Sequence, residues 1–172
     1  PANLGICLNK DYTYALVESE KGKLIVLEEL VDALWEKFGL ETKKKLATYK
    51  GSELEMITCQ HPLYDRESLV ILGDHVTADA GTGCVHTAPG FGADDFFIGQ
   101  KYGLPAYCNV DEHGCMMEDA GDWLKGQYVD DANKTVTQRL DAMGALLKLE
   151  FITHSYPHDW RTKKPIIFRA TT

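Results

Sequence analysis

The sequence predicts an α+β fold: a mainly antiparallel, β-barrel-like core with a few peripheral helices. Three observations lead there. Short stretches with period-two alternation outnumber those with helical periodicity, glycine- and proline-containing breakers separate them, and no regular strand–helix–strand alternation suggests a doubly wound parallel sheet. With 44% hydrophobic and 26% charged residues in 172, the composition is that of a globular protein. A chain of this size buries about two-thirds of its unfolded surface.

The elements follow in order. "YTYALVE" alternates around a core face, "SEKGK" turns, and "KLIVL" returns as the hairpin partner. Leu27, Leu30, Val31, Leu34, Trp35 and Phe38 recur at steps of three and four, a helical core stripe that Gly39 is placed to end. "SELEMITC" and "SLVILGDHV" read as strands on either side of the breaker-rich "QHPLYDRE". "ADDFFIGQKYG" reads as a short helix with acidic residues in its first turn, where the helix dipole favours them, and with Gly103 and Pro105 closing it. "AYCNV" and "CMM" flank "DEHG" as a hairpin. Val136, Leu140, Met143 and Leu147 mark a helix from Thr135 to Lys148, and "LEFITHSY" and "PIIFRAT" read as closing strands. No internal repeat or low-complexity linker interrupts the chain, so residues 1–172 read as one domain.

Apolar runs such as "LVIL" are far shorter than the roughly 18 residues that a membrane span needs, and no membrane partner is expected. Five cysteines without a C-x-x-C pair fit a reducing, cytoplasmic setting better than a disulfide framework or a zinc ribbon. The chain opens on "PANLG" and stops at "FRATT", both of which read as cuts from a longer polypeptide. A net charge of −8 repels nucleic acid at long range, so any RNA contact must be local. Two basic clusters could supply it, "TKKKLATYK" and "WRTKKPIIFR", although such charge runs are usually solvated faces.

The richest stretch is "GTGCVHTAPGFGADD", residues 81–95. It is no Walker A loop, because Lys-Ser/Thr is missing, and no dinucleotide fingerprint, because His86 stands where a third glycine or alanine belongs. Metal binding is a weak reading: His113 lies between Cys108 and Cys115 on a hairpin without a second half, and Pro157 breaks the His154/His158 pair. Cys84 and His86, two apart on a strand, would share a face and could serve a Cys/His hydrolase, but no oxyanion donor is identifiable. The remaining pair is His86 and Asp95, a strand histidine and a carboxylate in a helix's first turn, suited to a small site for a cationic group. Spacing alone favours Asp94 and Asp95 as helix caps and His86 as a satisfied core residue.

Together with "PAN", "HPLYDRES", "GQKYGLP" and "HSYPHDWRTKKPIIFRAT", the stretch "GTGCVHTAPGFGADDF" resembles the inserted editing (CP1) domain of isoleucyl-tRNA synthetases. The resemblance runs from Pro1 to Thr172. It implies an aminoacyl-tRNA deacylase within a longer isoleucine–tRNA ligase, hydrolysing valine mischarged on tRNA(Ile) after transfer, with pre-transfer editing as an extension. The alternative is a non-catalytic module that positions the tRNA 3′ end. A pocket for isoleucine rejects valine by only about 10–200-fold, so a second, size-selective site is needed.

The resemblance further implies that Asp95 binds the α-ammonium, that Asp94 is the helix cap, and that His86 lines the side-chain pocket as a size filter. Gly81, Thr82 and Gly83 would bring backbone close to the aminoacyl group or terminal adenosine. It assigns no certain catalytic side chain, no metal and no cofactor to this domain. ATP and Mg belong to the parent ligase, whose catalytic body is the expected partner beside tRNA(Ile). It also implies that a threonine-rich strand preceding "PAN" contributes to the pocket.

Overall fold

The structure, a computed structural model, describes residues 1–171. It divides into two compact units, one of Asn3–Thr87 and one that runs from Ala88 onward and includes Pro1 and Ala2. The α+β class and the predominance of antiparallel pairing stand, but the sheets are open and no barrel closes among the described residues.

The first unit holds β1 (Gly5–Leu8), β2 (Thr13–Ser19), β3 (Gly22–Leu27), α1 (Val31–Phe38), β4 (Lys44–Lys50), α2 (Gly51–Leu54), β5 (Thr58–Gln60), β6 (Glu67–Leu72) and β7 (Val85–Thr87). One sheet has the order β3-β2-β4 and the other β5-β6-β1-β7. The hairpin β2/β3 and helix α1 are as the sequence predicts. Gly39, at φ 67°, ends α1 in the left-handed conformation that glycine adopts without steric cost. Alternation along β2 sends Ala15 and Val17 into a core with Val31, Leu34 and Trp35, while Tyr14 joins Leu8, Leu27 and Val70 in another. Both faces of β2 are thereby covered.

Three predicted features differ. The basic run "TKKKLATYK" is largely strand β4, an edge strand paired with β2, where lysines deter further pairing. Lys43 reaches Asp32 at 2.5 Å and Lys45 reaches Glu28 at 3.5 Å, so acidic neighbours in the same unit already face this cluster. "SELEMITC" is divided between α2 and β5 instead of forming one strand. The pair β1/β6 runs parallel, Gly5 opposite Leu69 through Leu8 opposite Leu72, because the whole three-stranded sheet lies in the crossover between them.

"HPLYDRES" forms a tight turn into β6. The Gln60 amide donates to the carbonyls of His61, Tyr64 and Arg66, and Leu63 N–H donates to His61 Nδ1 at 3.0 Å. Burial, aided by the charge of Arg66, pulls the His61 pKa down to about 4. Because the folded value lies below the unfolded one near 6.5, neutral His61 supports folding above pH 6.5 and that support fades as pH falls towards 4. The melting temperature of the wild type is expected to fall more steeply between pH 6.5 and 5 than that of His61→Asn, which keeps an acceptor for Leu63. Equal slopes in calorimetric melts would remove His61 from the account.

The second unit contains α3 (Ala93–Lys101) and α4 (Val129–Ala142), with a core of Val110, Met116, Ala120, Leu124 and Ala132. The "DEHG" turn is held by Asp111, whose carboxylate accepts the N–H groups of His113 and Cys115, and these bonds, Cys115 foremost, lower its pKa. Its flanks make isolated bridges, Val110 with Met116 and Cys115 with Tyr128, in place of full strands. Helix α4 begins and ends earlier than the apolar stripe predicts. Ala132, Val129 and Val136 carry its packing, and Gly144, at φ 74°, lies just past its end. The predicted closing strands do not form: Phe151, Ile152 and Trp160 are 92%, 77% and 72% exposed, and one isolated bridge joins His158 and Pro165. Arg161 lies over the Trp160 ring at 4.7 Å.

Candidate functional site

The stretch from Gly81 to Asp95 crosses from one unit to the other. Gly81, Thr82, Gly83 and His86 belong to the first unit and Asp95 to the second. In the first, the loop is fastened at three points. Thr82 O accepts from Leu27 N at 3.0 Å, the Thr82 hydroxyl meets Cys84 N at 3.3 Å, and Gly83 O accepts from the Tyr14 hydroxyl at 2.6 Å. Tyr14 is fully buried, also accepts from Asn9 N at 3.0 Å, and has its pKa raised to about 12, chiefly by burial. It is therefore a neutral strut. Gly83 is buried at φ 82°, and a β-carbon there would lie 2.2 Å from Leu27 Cγ. Packing against Leu27 is thus sufficient reason for this glycine.

His86 stands on β7, opposite Ile6 of β1. It is exposed, which removes the reading of a buried core histidine. Its Nδ1 lies 2.6 Å from Asn3 Nδ2, and Asn3 in turn takes the Ser68 hydroxyl on Oδ1 at 2.6 Å and gives Nδ2–H to Gly5 O at 3.1 Å. Reasoning from residue types missed Asn3 and Ser68. The available signal was the "PAN" tripeptide, whose asparagine contacts the histidine 83 positions away.

Cys84 lies just before β7, packed against the core of Leu8, Tyr14 and Leu27, with Sγ 3.6 Å from Ile25 O. Burial pushes its thiol up to about 11. The thiolate at neutral pH is then about one part in ten thousand, which argues against a Cys/His nucleophile. Cys84→Ala is expected to leave any ester hydrolysis within about twofold of wild type, and Cys84 to react with iodoacetamide at pH 7 far more slowly than a model thiol. A dead alanine variant would restore the cysteine mechanism.

In the second unit, Gly92 occupies the N-cap of α3, so neither aspartate caps it: Asp94 and Asp95 are the second and third residues of the first turn. Asp94, expected as the cap, is exposed. Asp95 is half-buried and its Oδ2 accepts the Ala88 N–H at 3.0 Å, tying the helix to the start of the "APGFG" turn. That turn is close-packed, since a β-carbon on Gly90 would lie 2.1 Å from Tyr107 O. A carboxylate offers about four acceptor positions, so one amide bond leaves capacity for an ammonium ion. Among the described residues no three His, Cys, Asp or Glu side chains gather as a metal ion would require, and no helix is long and apolar enough to cross a membrane.

The fold defines the class. The chain superimposes on a solved structure described as "The crystal structure of GlLeuRS-CP1" with a TM-score of 0.65 at 16% identity, covering 91% of this chain and 79% of that one. The chain therefore has the fold of a CP1 domain. Sequence narrows it: the chain is 58% identical over 172 residues to isoleucine–tRNA ligase 1 of Oceanobacillus iheyensis, 56% over 172 residues to the isoleucine–tRNA ligase of Geobacillus thermodenitrificans, and 57% over 171 residues to that of Bacillus subtilis. These matches take in 100%, 100% and 99% of the chain but 19%, 18% and 18% of the relatives, so it spans about a fifth of their length. Along its whole length the chain is homologous to one segment of isoleucine–tRNA ligases. No family model matches it.

Proposed function

We propose that this chain is the editing domain of an isoleucine–tRNA ligase and hydrolyses the ester of valine mischarged on tRNA(Ile). The observation that carries the reading is the identity of 56–58% to isoleucine–tRNA ligases along the whole chain, joined to a CP1 fold. Water attacks the aminoacyl carbonyl, the ester C–O bond breaks, and the terminal ribose oxygen leaves with a proton, giving free valine and tRNA. Asp95 binds the α-ammonium, and His86 gauges the side chain. Gly81, Thr82 and Gly83 present backbone to the aminoacyl group or terminal adenosine. A ribose hydroxyl of the tRNA positions the water. The same hydrolysis extends to valine activated but not yet transferred.

The domain acts in the cytoplasm with the tRNA 3′ end and the catalytic body of the ligase as partners. It needs no cofactor of its own, while the ligation reaction of the parent uses ATP and Mg. The competing reading, a non-catalytic module that only positions the tRNA 3′ end, predicts no change in ester chemistry on altering these residues. Deacylation of valyl- and isoleucyl-tRNA(Ile) by the full-length ligase and its His86→Ala variant separates the two. The variant is expected to gain isoleucine release, because removing the ring opens space for one more methylene, worth about 1–3 kcal/mol of discrimination. Unchanged discrimination would end the role of His86 as a filter.

A further inference from the structure

We infer that the turn at residues 159–164 is an RNA-contact site, in which Arg161, Lys163 and Lys164 hold phosphates of the bound tRNA and the Trp160 indole takes an unstacked base. The inference rests on tRNA carrying the substrate, as proposed above. The structure separates the two basic clusters of the sequence. On and beside β4, Lys43 and Lys45 already have Asp32 and Glu28 as partners. Among the described residues, no carboxylate forms an ion pair with Arg161, Lys163 or Lys164. The one acid in the turn, Asp159, directs its Oδ1 to the N–H groups of Arg161 at 3.0 Å and Thr162 at 2.6 Å. In a chain of net charge −8, cations without a local acid are where a polyanion meets least repulsion.

The turn has a defined shape. Asp159 N donates to Lys164 O and Lys163 N to Asp159 O, both at 2.9 Å, and His158 bridges Pro165 across the base. Residues 160–164 are thereby closed into a hairpin loop with every one of them exposed. Lys163 sits at φ 59°, one of two non-glycine residues at positive φ among the described residues. Glycine would take that conformation without steric cost, so a lysine there keeps backbone strain together with a charge. Trp160 is 72% exposed, and the Arg161 guanidinium lies over its ring at 4.7 Å. An indole and a planar cation side by side with two lysines match the flat face of a base and the phosphates that flank it. An acidic protein face would use the cations alone.

The test measures binding of deacylated tRNA(Ile) to the full-length ligase by fluorescence anisotropy over a range of KCl concentrations. Replacing the three cations together (Arg161→Gln, Lys163→Gly, Lys164→Gln) is expected to weaken binding about tenfold or more at low salt and to reduce the slope of log Kd against log[salt] by about two. The same variant is expected to raise KM for valyl-tRNA(Ile) deacylation and to retain kcat. Trp160→Ala is expected to weaken binding about tenfold with the salt slope unchanged, because stacking releases no counterions. Lys163→Gly alone relieves the backbone and is expected to melt no lower than wild type while still losing affinity, which separates the charge from folding. Lys43→Gln with Lys45→Gln, on the cluster that already faces acids, is expected to leave the slope as it is. Unchanged affinity and slope in turn variants that melt like wild type would overturn the inference. So would unchanged tRNA binding with a lower melting temperature of the ligase, which would assign the turn to packing against the rest of that protein. A ligase that binds tRNA through this turn yet releases no valine would count against the proposed hydrolysis and leave the RNA contact standing.

Discussion

Replacing Asp95 by alanine is expected to cut release of valine from mischarged tRNA by about a hundredfold or more, since removing one partner of a desolvated charge pair costs 2–5 kcal/mol. Two effects are mixed in that number. The Asp95 carboxylate would hold the α-ammonium, and it also accepts the Ala88 N–H at 3.0 Å. Asp95→Asn separates them, because its amide oxygen still accepts from Ala88 while the negative charge is gone. If the charge is what matters, Asn and Ala variants lose activity alike, and the Asn variant melts close to wild type. If the turn is what matters, Asn restores turnover towards wild type. Deacylation that is unchanged in both would remove Asp95 from the site and favour the non-catalytic reading.

The second large effect is structural. Gly83→Ala is expected to destabilise the chain by about 3–5 kcal/mol, combining the cost of a left-handed non-glycine residue with overpacking. The added methyl would sit 2.2 Å from Leu27 Cγ at φ 82°. The comparison is Gly81→Ala, at φ 72° with nothing within 4 Å of the added atom, which is expected to cost about 1–2 kcal/mol from the backbone alone. With about 2–4 °C per kcal/mol at this size, the two variants should differ by several degrees in melting temperature. Equal melting temperatures would mean that Leu27 moves aside freely. The outcome also bears on function, because Leu27 N and the Tyr14 hydroxyl hold the carbonyls of Thr82 and Gly83.

The local structure around the candidate residues was legible because its signals are local. A histidine followed by a proline- and glycine-rich turn and two aspartates places His86 on a strand and Asp95 in a helix's first turn, as β7 and α3 bear out. Their chemical roles are carried by family resemblance, since spacing alone favoured caps and a core histidine. The structure resolves part of that choice on its own terms. Gly92, not an aspartate, stands at the cap, and His86 is exposed.

By itself, then, the sequence determined what depends on neighbours along the chain: the β2/β3 hairpin from alternation, α1 from its stripe and terminal glycine, and the tight turn at "HPLYDRE" from its breakers. Tertiary structure decided what depends on partners far away. "KKLATYK" looks like a solvated charge run until β2 offers it an edge, and β1 acquires its parallel partner β6 only after a crossover of more than fifty residues. The clearest case is Asn3, an ordinary polar residue in its own neighbourhood. Only the register of β1 against β7 brings its amide to His86, because hydrogen bonding acts over about 3 Å of space and is indifferent to separation in sequence.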